Sequence, residues 1–163
     1  MNIEQDLRVI AEQAARLRFE RFDAEVAWRL GQRLKETAER LHSAIAMDIR
    51  LFAQPIFYYA MPGTTPDHAD WIRRKRNVVQ HFHRSSYAVG LMLKQKESSL
   101  EERGLAARDY AAQGGSFPIF VQGVGCIGAI TVSGLPQREE HELVVEVLAD
   151  YLKLPYEELA LDP

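Results

Sequence analysis

Apolar residues open the chain at spacings of four, three, four and three: Ile3, Leu7, Ile10, Ala14 and Leu17. That spacing lines one stripe of an α-helix over residues 3–17. Leu17 and Phe19 flank Arg18, which suggests a short strand before Asp23. Asp23 is a good N-cap, and Ala27, Leu30, Leu34, Ala38 and Leu41 repeat on one face, so residues 24–41 form a second amphipathic helix. From Ala44 the period drops to two. Ile45, Met47, Ile49 and Leu51 alternate with Ala46, Asp48 and Arg50, as in a half-buried strand. After Pro55 the run Ile56 to Met61 is rich in strand-favouring residues, giving an antiparallel pair closed by Pro62-Gly63.

Thr65-Pro66 supplies an N-cap and a proline at the first helical position, so a long helix starts there with Trp71, Ile72, Val78, Val79 and Phe82 as its stripe. Tyr87 to Lys96 adds a shorter helix after Ser85-Ser86, and residues 97–105 read as an exposed connection. Phe117 to Gln122 and Cys126 to Ser133 make a hairpin across Gly123-Val124-Gly125. Leu143, Val144, Val147, Leu148 and Tyr151 line a last helix that stops near Leu154-Pro155. The elements sum to an α/β (α+β) fold, an antiparallel sheet of about five strands covered by helices.

Composition narrows the class. At 163 residues the chain makes a single domain, 1–163, with no repeat or linker, and with 47% hydrophobic and 26% charged residues it is an ordinary globular sequence. Cys126 is the only cysteine and has no disulfide partner within the chain. The N-terminal run MNIEQDLRVI does not read as a signal peptide, so the expected compartment is the cytoplasm. A formal charge of −3 and the lack of a long apolar stretch give no reason to expect nucleic-acid or membrane binding.

The glycines carry most of the candidate chemistry. Gly123-Val124-Gly125-Cys126-Ile127-Gly128 matches a dinucleotide-binding spacing, but the β-branched run that follows cannot be the helix that motif requires. The better reading is a hairpin turn plus a strand glycine, Gly128, that admits a helix or a ligand. Gly114-Gly115 ahead of Phe117-Pro118 could offer consecutive amides to an anion, or could simply turn the chain. Pro118 lacks a ladder donor and must lie at an edge or a break in pairing. Arg73 to Arg76 spread around their helix at about 100° per residue, yet Lys75 turns towards the apolar stripe and becomes a candidate for an anionic group. His81 and His83 do not form a metal pair on a helix; His68 and His141 lie near acids at helix starts and read as structural. Cys126 reads as a buried strand cysteine, not a nucleophile.

The segments GTTPDHADWIRRKRNVV (63–79), SSYAVG (85–90) and GGSFPIFVQGVGCIGAITVSGLPQREEHELVVEVL (114–148) resemble the GlcG/HbpS-like family, described as haem-degrading, and within it an uncharacterised UPF subgroup. The resemblance implies a profilin-like fold, a homo-oligomer, and binding of haem or another small anionic ligand. The subgroup pattern has His before the double glycine and Asn after Pro-Asp, where this chain has Gln113 and His68. The expected binding site joins Gly114, Gly115 and Phe117 to Arg74 and Lys75, with Ser85, Ser86 and His141 nearby; no catalytic or metal-ligating residue is assigned. Three function classes follow: a ligand-binding protein with or without slow turnover of its ligand, an oligomeric interaction protein without chemistry, and an enzyme acting on a small metabolite. The third lacks a nucleophile–base pair or a cofactor fingerprint.

Overall fold

A computed structural model describes residues 2–163. The helices are α1 (Ile3–Arg16), α2 (Ala24–Arg40), α3 (Pro66–Phe82), α4 (Ser86–Gln95) and α5 (Gln137–Leu152). The strands are β1 (Arg18–Phe19), β2 (Ala46–Leu51), β3 (Gln54–Ala60), β4 (Ser116–Val121) and β5 (Gly125–Ser133). Local signals explain the boundaries. Asp23 accepts the Val26 amide at 2.9 Å to start α2. At α3 the Thr65 amide donates to His68 Nδ1 at 3.0 Å, completing a capping box around Pro66.

The five strands form one sheet in the order β1-β4-β5-β2-β3. It is mixed, not wholly antiparallel as the sequence suggested: β1 pairs parallel with β4, Arg18 opposite Phe120 and Phe19 opposite Val121. A two-residue strand with no hairpin partner leaves no local trace of its direction. Because β1 covers only the last two residues of β4, Pro118 sits where that side of β4 has no strand neighbour, as its missing donor requires. The closest neighbour of Gly128 is a strand. A Cβ there would lie 2.0 Å from the Arg50 carbonyl oxygen, so this glycine lets β2 come close.

Alternation sorts the sheet into two unlike faces. Met47, Ile49, Phe117, Ile119, Ile130 and Val132 point to α2 and α5 and build the main apolar core with Leu30, Leu34, Val144 and Leu148. Ala46, Asp48, Ser116, Thr131 and Ser133 occupy the other face, against which α3 packs. The polar side of β2 is therefore not solvent-exposed as its half-buried pattern implied, because α3 covers it and pairs Arg76 with Asp48 at 3.1 Å. The segment 97–105 also differs from its exposed reading: Leu100 and Leu105 are buried against Val78, Val89 and Leu93. Helix α1 lies outside this sandwich, where Ile10 packs on Tyr87, Ala88 and Leu91 of α4. Its Asp6 receives the Arg138 guanidinium of α5 at 2.6 Å.

Candidate functional site

Lys75 turns inward from the middle of α3 and is 1% exposed. A buried ammonium needs a partner, and the anion it meets is the chain's own: Nζ donates to Glu140 Oε2 at 2.5 Å and to the Val132 carbonyl at 2.6 Å. The other carboxylate oxygen of Glu140 accepts the amides of Gly134 at 2.7 Å and Leu135 at 3.2 Å. Burial pushes the Lys75 ammonium below the usual lysine range, and Glu140 pulls it part of the way back. Helices α3 and α5 cover opposite faces, so the pair passes around the end of the sheet. Gly115 makes that passage possible. At its φ of +118°, a Cβ would stand 2.6 Å from both charged atoms.

The two glycines therefore act by absence of side chains. Gly114 donates its amide to Gln137 Oε1 at 3.2 Å, and the Gly115 carbonyl accepts the Val132 amide at 2.9 Å. Above the ion pair lies a polar cavity of about 380 Å³ walled by Asp67, His68 and Trp71 of α3, Gln113, Ser133 to Leu135, and Gln137. Arg74 reaches it only through Trp71, holding its guanidinium 4.5 Å from the indole centre while donating to the Ala107 carbonyl at 2.9 Å. Gln113 and His68, the two departures from the subgroup pattern, line this one cavity. His68 Nδ1 accepts the Thr65 amide, so the neutral ring carries its proton on Nε2 and acts as a donor.

The remaining expected residues fall elsewhere. Phe117 and Ser85 line a second opening of about 290 Å³, an apolar groove between α1 and β4. Leu7, Ile10, Ala11 and Ala14 form one wall, Pro118 and Phe120 the other, and the exposed His83 and Arg84 stand at the rim. Ser85 caps α4 by accepting the Ala88 amide at 3.2 Å, while Ser86 Oγ accepts the Ser116 amide at 3.1 Å. His141 lies behind Phe117 and is 1% exposed, with Nε2 2.8 Å from Gln13 Oε1. Gln13 Nε2 donates to the Leu159 carbonyl, which makes Oε1 the acceptor and fixes the proton on His141 Nε2. The imidazole is pushed down to about 3, first by burial and then by Arg138, so it is neutral. Burial also raises the Cys126 thiol, whose Sγ lies 3.5 Å from the Gly128 carbonyl. Sequence reasoning thus joined into one site residues that the fold separates, Lys75 lining one opening and Phe117 with Ser85 another.

Residues 22–149 match the family described as "Haem degrading protein HbpS-like". The chain belongs to the HbpS-like family. A "UPF0303 protein" of Serratia proteamaculans (strain 568) is 58% identical over 155 residues, covering 94% of this chain and 96% of its own. Among solved structures, the Ybr137w protein superimposes with a TM-score of 0.83 at 25% identity, covering 90% of this chain and 87% of its own. A PduOC:heme complex gives a TM-score of 0.65 at 16% identity, over 76% of this chain and 89% of that one, and shares the fold.

Within this HbpS-like chain, four residues of the two openings escaped sequence reasoning: Trp71 as a cavity wall, Glu140 as the Lys75 partner, and His83 with Arg84 at the groove rim. Glu140 had a readable signal, since a carboxylate six residues after Gly134 can fold back onto that turn's free amides. His83 and Arg84 directly follow Phe82, the last residue of the α3 stripe, and so mark where the chain leaves the helix for the surface.

Proposed function

We propose that this protein binds haem, or an amphipathic anion of similar shape, in the groove between α1 and β4. One observation carries the reading: an apolar slot with one imidazole and one guanidinium at its mouth. Haem is held by an axial ligand such as histidine, apolar contacts to the macrocycle, and basic groups near the propionates. Leu7, Ile10, Ala11 and Phe120 would meet the ring, Arg84 a propionate, and His83 the iron. The His83 ring makes no hydrogen bond among the described residues, so its nitrogens are available. The chemistry fits, while a volume of about 290 Å³ accepts one edge of a macrocycle and leaves the rest towards solvent. The polar cavity fits haem poorly, because His68 would have to abandon the α3 cap to present Nδ1 and it carries a proton on Nε2. When bound, haem would supply redox chemistry that the side chains lack.

Titration with haemin tests this. The expected result is a saturable Soret shift at one equivalent, lost in His83→Ala and weakened in Arg84→Ala. A non-stoichiometric change, or a His83→Ala response equal to that of the parent, rejects it.

Self-association is the second reading, and the open edge of the sheet supports it. Among the described residues strand β3 has no neighbour on its outer side, and its Tyr58 is 49% exposed. An uncovered aromatic edge of this kind invites pairing with another chain. Light scattering at micromolar concentration is expected to show an oligomer that Tyr58→Lys weakens; a monomeric parent protein defeats the idea.

A further inference from the structure

The polar cavity is chemically unlike the groove and calls for a different occupant. Its floor is the Lys75–Glu140 pair, whose charges cancel at 2.5 Å. The uncompensated charge on its wall is Asp67. An anionic ligand would meet Asp67 with no free cation in the lining, and a cation would find Asp67 set against two donors, the His68 Nε2–H and the Gln137 amide NH₂. A neutral ligand meets neither penalty. The polar wall mixes roles: the His68 Nε2–H donates, Gln137 keeps its amide NH₂ because its oxygen is taken by Gly114, Asp67 accepts, and Gln113 and Ser133 do both. Hydroxyl groups suit such a wall, since each donates and accepts at once. Trp71 adds a half-exposed indole with Arg74 stacked against it, a flat apolar surface beside the polar groups.

We propose that this cavity is a second binding site, for a neutral polyhydroxylated molecule of monosaccharide size. The ligand lies against the indole of Trp71 and exchanges hydrogen bonds with Asp67, His68, Gln113 and Gln137. Lys75 and Glu140 shape the floor as a rigid, neutral pair and take no part in charge recognition. The cavity volume of about 380 Å³ falls in the range of small-molecule sites.

The test is Trp71 fluorescence in the full-length chain carrying Trp28→Phe, titrated with glucose, ribose and myo-inositol beside the charged counterparts gluconate and glucosamine. Saturable quenching is expected with at least one neutral ligand, at least about tenfold tighter than with either charged counterpart, as loss of charge compensation implies. Calorimetry with Gln137→Ala and with Trp71→Ala should show at least about tenfold weaker binding. Both side chains are surface-accessible, and an unchanged melting temperature establishes that each variant is folded. Failure of all three neutral ligands to saturate, equal binding of a charged counterpart, or an unaffected Trp71→Ala overturns the proposal. The haemin response reads the other opening, so it should survive Trp71→Ala whichever way this test falls.

Discussion

The two faces of the sheet are made by the same three central strands and solve burial in opposite ways. On the α2–α5 side, Met47, Ile49, Ile130, Val132 and Phe117 meet Leu30, Leu34, Val144 and Leu148, and stability comes from apolar area removed from water. On the α3 side, Asp48 pairs with Arg76, Ser116 with Thr131 and Lys75 with Glu140, so burial is offset by specific polar contacts. Ser116 and Thr131 share a hydroxyl contact of 2.8 Å across the β4–β5 ladder. Apolar packing tolerates substitutions of similar volume, whereas a paired charge does not tolerate loss of its partner. The polar face is thus the more easily damaged by single changes, and the larger polar cavity adjoins it.

Removing one charge at a time breaks this comparison most directly. Lys75→Met leaves Glu140 buried with only its two backbone donors, and is expected to cost about 4 kcal/mol in urea unfolding. Pairing it with Glu140→Leu should recover much of that loss, since apolar residues can replace a buried ion pair. If Lys75→Met is neutral by itself, the two faces are energetically alike and the contrast fails.

Acid separates the faces by sign. His141 packs behind Phe117 on the apolar side with a folded value of about 3 against 6.5 unfolded. The unfolded chain therefore binds the extra proton between those values. Stability from this group is full above pH 6.5 and falls as pH drops towards 3, by about 3 kcal/mol at pH 4. His141→Phe should flatten that part of the profile. Asp48 acts in the opposite sense, because burial raises its carboxyl above 3.8 despite Arg76 and Arg50. The folded state then holds the proton more tightly, so acidification through that window favours folding and partly offsets His141. Asp48→Asn should steepen the acid loss, the smallest of these effects, read as a change of slope in melting temperature against pH.

Much of the fold was legible because its signals are local. Asp23, Thr65 with Pro66, and the glycines around Val124 mark helix starts and a turn by chemistry confined to a few residues. What escaped depends on contacts distant in sequence. The parallel pairing of β1 rests on residues about a hundred positions away, and the cover over Asp48 comes from a helix on another layer. The binding-site expectation was drawn from the same dense motifs, with residues taken from α3, the start of α4, the entry to β4 and α5. They sit on different elements, however: Lys75 of α3 lines the polar cavity, whereas Phe117 of β4 and Ser85 ahead of α4 line the groove. Lys75 was singled out correctly as an inward lysine, but its charge partner lies 65 residues on, beyond any local pattern.

That separation has a consequence in time. The Lys75–Glu140 contact exists only when α3, the end of β5 and the first turn of α5 are all in place, with Gly115 leaving the gap between them. Interactions that form after the folding transition state hardly change how fast a chain folds; their free energy appears in how slowly it unfolds. The pair around the sheet's end is expected to close late, so Lys75→Met should speed unfolding in stopped-flow kinetics and leave the refolding rate nearly unchanged.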